Sequence, residues 1–190
     1  MNSVRPYKRL LAVLLFLLLL LAVFELSGLR SQFNLAYLHQ ILVDNPVTGL
    51  AVFILIFTLG NLVQIPGWIF LAAAVLALGK TWGGLATYVA AIVSCTVTYF
   101  SIRFVGGDAL RTLKGPLATR LLNQLDAHPI RSIVLLRMLF QTVPALNYTL
   151  ALSGVRYRDY LIGTLLGLPL PIAAYCLLFD YLDAQLHLHS

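Results

Sequence analysis

Arg137 stands inside an otherwise apolar stretch, with Gln141, Pro144, Asn147 and Tyr148 close behind it. A guanidinium carries five donors, keeps its charge, and grips phosphate or carboxylate oxygens in a fork. An ionisable group at membrane depth is a functional hypothesis by default, set against a side chain that snorkels to the interface beside Arg131. A second polar constellation, Asn61, Gln64, Pro66 and Gly67, interrupts an earlier apolar stretch in the same way. Gln64, Gln141 and Asn147 can donate to a head group or pair with each other as polar glue between helices. Pro66 and Pro144 remove helical donors and break the helix, which exposes backbone groups and helix-end dipoles. Tyr148 and Trp68 suit packing or interface anchoring as well as contact with a ligand.

Catalysis has little support. The chain contains no GxSxG, HExxH, P-loop or paired-carboxylate motif. No acidic residue lies between Asp44 and Asp108, and the stretch around Arg137 holds none either. Proton coupling usually wants an intramembrane carboxylate, so its absence counts against such a mechanism. His187 and His189 are two ligands with no others near, which argues against a metal, and nothing calls for a cofactor. Cys95 and Cys176 sit in apolar runs as small buried or lipid-facing residues.

The elements that must position these residues belong to a membrane protein. Of 190 residues, 60% are hydrophobic and 11% charged, with a mean hydropathy of +0.89. So few charges cannot coat a soluble surface of this size. The net charge of +6 is scattered between apolar runs with no basic helix, which excludes nucleic acid as a partner.

Arg5, Lys8 and Arg9 precede an apolar run from Leu10 to Phe24 that lacks a small-residue cleavage site, so residues 1–29 read as an uncleaved anchor helix. Residues 30–190 read as one domain. Phe33, Tyr37 and Ile41 mark a short amphipathic helix. Val47 to Gly79 is too long for one span and short for two. With Gly60, Asn61, Gln64, Pro66 and Gly67 in its middle, the economical solution is a re-entrant hairpin. Gly83 to Val105 makes a full span. A second amphipathic stretch follows, with Leu117, Leu121, Leu122 and Leu125 on one face. Ile130 to Val155 repeats the broken apolar pattern, and Asp159 to Phe179 is a last span bent by Gly163, Gly167, Pro169 and Pro171.

The order amphipathic helix, broken hairpin, Gly-containing turn (Gly79, Gly154) and full span thus occurs twice, over about 30–107 and 108–181. Paired interrupted segments in two halves point to a transporter site. With the N-terminus cytoplasmic, two hairpins place Arg103, Arg111, Lys114, Arg120, Arg131, Arg156 and Arg158 inside. Only Arg30 and Lys80 then lie outside, together with Glu25, Asp44, Asp180 and Asp183. The expected fold class is therefore an all-α polytopic membrane protein, an inverted repeat of re-entrant hairpin plus transmembrane helix with an extra N-terminal helix.

The run Ile65-Pro66-Gly67, Ala72-Ala73-Ala74, Gly79, Gly83, Phe100-x-x-Arg103-x-x-Gly106 resembles the first half of the DedA / SNARE-associated Golgi protein (VTT domain) superfamily. The second half is similar through Leu136-Arg137, Pro144, Asn147-Tyr148, Gly154 and Gly163-Thr164-x-x-Gly167-x-Pro169. The resemblance runs from Leu50 to Tyr181. It implies facing re-entrant hairpins and movement of phospholipid or polyprenyl-phosphate lipid between leaflets, with Arg137, Pro144, Asn147 and Tyr148 as second-hairpin residues and Pro66-Gly67 as first. Phe140 stands where the family commonly has proline. Neutral Asn61 and Gln64 replace an acidic residue common in the DedA branch, so the SNARE-associated branch is the nearer. The expected partners are membrane lipids with anionic phosphate head groups, a homo-oligomer staying open, and the expected location is a bacterial inner membrane. The rival expectation is a non-transporting scaffold or assembly factor whose small residues (Gly83, Gly84, Ala86, Ala90, Ala91, Ser94) pack against a partner.

Overall fold

The computed structural model describes residues 46–112, 116–140, 143 and 145–186, and positions 11, 13, 15, 16, 18, 19 and 22 of the first apolar run. Side chains 46, 112, 116–118, 183, 184 and 186 lie outside that description, as do the expected amphipathic helix around Phe33–Ile41 and the tail histidines. Every regular element among the described residues is helical. They are α1 (Pro46–Leu62), α2 (Gly67–Gly106), a 3₁₀ turn (Ala109–Thr112), α3 (Pro116–Ala127), α4 (Pro129–Phe140), α5 (Ala145–Leu152), α6 (Tyr157–Gly167) and α7 (Pro169–Leu186).

The first break is a helix-ending motif followed at once by a new start. Ile65 N–H donates to Gly60 O at 2.8 Å and Gln64 N–H to Asn61 O at 3.2 Å, the paired bonds of a Schellman C-cap. That motif needs a left-handed residue, usually glycine, and here Gln64 takes it with φ 66°. Pro66, in extended backbone, then starts α2. Gly60 is helical and admits the Phe70 ring, which would lie 2.4 Å from an added Cβ. A left-handed non-glycine residue costs about 1–2 kcal/mol. Gln64→Gly is therefore expected to stabilise the protein by about 1 kcal/mol after glycine's own entropy cost, read as a raised thermal midpoint in detergent; a lowered midpoint would mean the Gln64 side chain contributes more than the strain.

α2 is not one continuous rod. Gly79 adopts φ 76° and ψ 168°, and a Cβ on Gly83 would meet Ala74 O at 2.4 Å. Residues nine apart on a straight helix are about 13 Å apart along its axis, so the chain doubles back at Gly79 into arms 67–78 and 80–106. α1 touches both arms, with the Phe57 and Phe70 rings 5.0 Å apart on the first and Asn61 bonded to Ser94 on the second.

The same succession recurs in the second half. α4 is followed by a break around Val143, by the shorter α5, and by Gly154 with φ 79°. α6 then runs beside α4, with Gly163 against Ile133 and Gly167 against Arg137. α6 passes into α7 through Leu168, itself in helical geometry, and the opening Pro169 occupies a first-turn position that suits proline. Both glycines picked out from sequence as turn residues thus take positive φ, as Gln64 and Gly107 also do.

Two apolar clusters fill the interior. One gathers Phe53, Phe57, Phe70, Ala90, Leu168 and Ile172; the other gathers Cys95, Tyr99, Ile102, Ile133, Leu150 and Tyr160, and Val13 of the first apolar run packs on it. Outward, Leu85, Val89, Val93, Val97, Phe100 and Phe104 form an exposed stripe along the second arm of α2. A stripe of that length on a soluble protein would be an aggregation liability. α3 has the expected amphipathic register, although Leu125 is buried and Leu121 exposed.

α3 is tied down by an ion pair. Arg111 donates to both carboxylate oxygens of Asp126, one at 2.9 Å, and its Nε donates to Ser153 O at 2.7 Å. The Arg111 hydrogen bond holds the Asp126 carboxyl below the ordinary aspartate range. For a depressed carboxylate, the contribution is present above the unfolded pKa and is lost as pH falls through the folded one. Amide exchange in α3 is expected to accelerate only as pH drops below about 4, and Asp126→Asn should show the same acceleration at neutral pH. The pair is half-exposed, so a modest effect is expected.

Candidate functional site

Between the two apolar clusters lies a polar layer. On α2 the order is Ala90 and Ala91, then Ser94 and Thr98, then Ile102; on the last helices it is Tyr160, Thr164, then Leu168. Ser94/Thr98 and Tyr160/Thr164 are spaced four apart, so each pair presents hydroxyls on one helical face.

Arg137 is the centre of this layer and is 3% exposed. Its Nη1 donates to Asn147 Oδ1 at 2.7 Å, and Nη2 donates to Tyr160 OH at 3.0 Å and Thr164 Oγ1 at 3.1 Å. Nε has no partner. Every acceptor named is neutral, and among the described residues no carboxylate lies against the guanidinium. The snorkelling alternative does not hold, because the side chain points among protein groups.

The layer links the two halves of the chain. Asn147 Nδ2 donates to Asn61 Oδ1 at 3.2 Å, and Asn61 Nδ2 donates to Ser94 Oγ at 2.7 Å. Asn147 Oδ1 also lies 3.4 Å from Cys95 Sγ. Tyr148 OH donates to the carbonyl oxygens of Leu62 and, at 3.3 Å, Asn61, so it caps the C-terminal end of α1 across the halves. Tyr160 OH in turn donates to Cys95 O at 3.1 Å.

Of the residues singled out from sequence, Asn61, Arg137, Asn147 and Tyr148 meet in one network. Gln64, Pro66 and Gly67 form the neighbouring break; Gln64 Nε2 is buried without a partner. Gln141 and Pro144 lie outside the described residues. Sequence reasoning passed over Thr98 and Tyr160, took Ser94 and Cys95 as packing residues, and met Thr164 only as part of a motif. The available signal was their four-residue spacing on apolar helices.

What this arrangement can do is bounded by its chemistry. It offers a buried cationic donor ringed by neutral acceptors and, among the described residues, no nucleophile with an adjacent base. An anionic oxygen is the natural partner for such a group, and Asn147 Oδ1 holds that place in this conformation.

Two helical stretches among the described residues, Gly67–Gly106 and Tyr157–Leu182, are long and apolar enough to cross a membrane. With the exposed apolar stripe and the interior cation, they define an all-helical membrane protein whose polar centre joins two broken segments. Residues 65–181 match the VTT domain, and the chain belongs to that family. The match takes in Pro66, Gly67, Arg137, Asn147 and Tyr148, while Asn61 and Gln64 precede it. No curated protein and no solved structure matches the chain.

Proposed function

We propose that this protein moves phospholipid or polyprenyl-phosphate lipid between leaflets, with Arg137 receiving the anionic phosphate head group while the hydrocarbon tails stay in the bilayer. The observation that carries this reading is the interior guanidinium whose partners among the described residues are all neutral acceptors. A buried charge without a counterion is costly unless something repays its desolvation, and a transient anionic ligand does so. The head group gains equally, since protein dipoles replace the water it leaves.

In this reading each helix–break–helix unit is a re-entrant hairpin, and the halves are inverted relative to each other in a multi-pass protein with a cytoplasmic N-terminus. Three features support it. Lys80 and Asp180, both expected on the outer side, pair at 2.9 Å. Arg103 and Arg111 reach the carbonyls of Val155 and Ser153 at the other end. The 23 residues from Lys80 to Arg103 rise about 35 Å, enough for a hydrocarbon core of about 30 Å. A bacterial inner membrane is the proposed location, and the site residues are Arg137, Gln141, Pro144, Asn147, Tyr148, Asn61, Gln64, Pro66 and Gly67. The cluster is closed in this conformation, so lipid entry requires the two breaks to separate.

The scaffold alternative loses its main support. The small face of α2 is used inside the chain: Gly83 lies on Ala74 and Val75, Gly84 on Cys176, and Ser94 in the polar layer. Vesicles reconstituted with the protein and a labelled anionic phospholipid test the transport reading. Flipping well above that of protein-free vesicles is expected, and equal rates would overturn it.

A further inference from the structure

A second polar feature lies apart from the Arg137 network. A cavity of about 30 Å³ is lined by Gly67, Trp68, Thr87 and Tyr175, with Phe57 and Ile172 among its apolar walls. Thr87 is 3% exposed, and its hydroxyl has no hydrogen-bond partner. Gly67 and Trp68 open the 12-residue first arm of α2, whose N-terminal end has neither a side-chain cap nor an acidic residue in its first turn. First-turn N–H groups have no intrahelical acceptor and carry the positive end of the helix dipole. The residues that open an uncapped helix and the threonine with an unpartnered buried hydroxyl thus line one small space.

We infer that this cavity is a binding site for a small monovalent anion of chloride size, held by the first-turn N–H groups at Gly67 and Trp68 and by the Thr87 hydroxyl. Helix-start N–H groups and a hydroxyl are partial positive charges of the kind that hold anions, and low dielectric strengthens their pull against the ion's desolvation cost. Size excludes larger anions: one water needs at least about 10–15 Å³ by this measure, so the space takes a halide with at most one water and leaves no room for a phosphate group. The site shares Gly67 with the proposed lipid site but lies apart from its Arg137 centre. Thr87 and Ser94 are seven residues apart on α2, about 10 Å along the axis, and no residue of the cavity bonds to Arg137. The ion would bridge the first break, the second arm of α2 and α7.

Trp68 lines the site and serves as its reporter. In the full chain carrying Trp82→Phe, in detergent, bromide is titrated against gluconate at constant ionic strength. Trp68 is 45% exposed, so a linear collisional component is expected, with a saturable component from the site on top. Thr87→Ser is expected to keep the saturable component, Thr87→Val to weaken it at least tenfold, and sulfate to give none. Thr87→Val is nearly isosteric and removes a buried hydroxyl, and an unchanged thermal midpoint in gluconate verifies its fold. Purely linear quenching in the parent overturns the inference, as does a saturable response that survives Thr87→Val or appears equally with sulfate.

Discussion

Arg137→Leu is expected to slow flipping of anionic phosphate lipids by about 10- to 100-fold while the protein stays folded. The magnitude follows from losing one charge-assisted hydrogen bond at about 1.5–3 kcal/mol, with tenfold per 1.4 kcal/mol. The fold should survive because replacing a buried cation by an apolar side chain of similar reach is often neutral. Two of the groups left behind keep a partner: Tyr160 OH still donates to Cys95 O, and Asn147 Nδ2 to Asn61. Asn147→Asp sharpens the test from the other side. It sets a carboxylate where an amide oxygen now lies 2.7 Å from the guanidinium, a permanent internal counterion in the place proposed for the phosphate oxygen. Transport is expected to fall as far as with Arg137→Leu, yet the thermal midpoint should rise. Normal flipping by Asn147→Asp would show that Arg137 serves packing and does not receive the head group.

Gly83→Ala is expected to be the most damaging single methyl in the chain. The added Cβ would lie 2.4 Å from Ala74 O, 2.6 Å from Ala74 C and 2.7 Å from Val75 Cα. All three are backbone atoms, so no side-chain rotation relieves the clash, and the two arms of α2 must separate. Overpacking of this severity costs about 3 kcal/mol, which for a chain of this size lowers the thermal midpoint by about 6–12 °C. Gly84→Ala is the internal control. Its Cβ would meet only the Cys176 sulfur, at 2.9 Å, which can move, so a smaller loss is expected. Equal midpoints for the two variants would mean that the reversal at Gly79 is not tightly packed.

The sequence by itself determined the class of protein, the helical content, the order of broken and unbroken segments, and the two corner glycines. These follow from local physics. Too few charges exist for an aqueous surface, and Gly79 and Gly154 stand just where apolar runs must turn. It also singled out Arg137 and Asn147, because a charge and an amide inside hydrocarbon-compatible runs stand out against their neighbours. Tertiary structure decided which residues meet. Asn61 reaches Asn147 across 86 positions and Tyr160 reaches Cys95 across 65, contacts that no local pattern encodes. Ser94 and Thr98 look like ordinary small residues for helix packing until Asn61 is brought against them. Gln64 shows the same limit at the backbone. Intrinsic preference assigns a left-handed corner to Gly60 or Gly67, whereas the packing of Phe70 against Gly60 keeps Gly60 helical and leaves the corner to a glutamine.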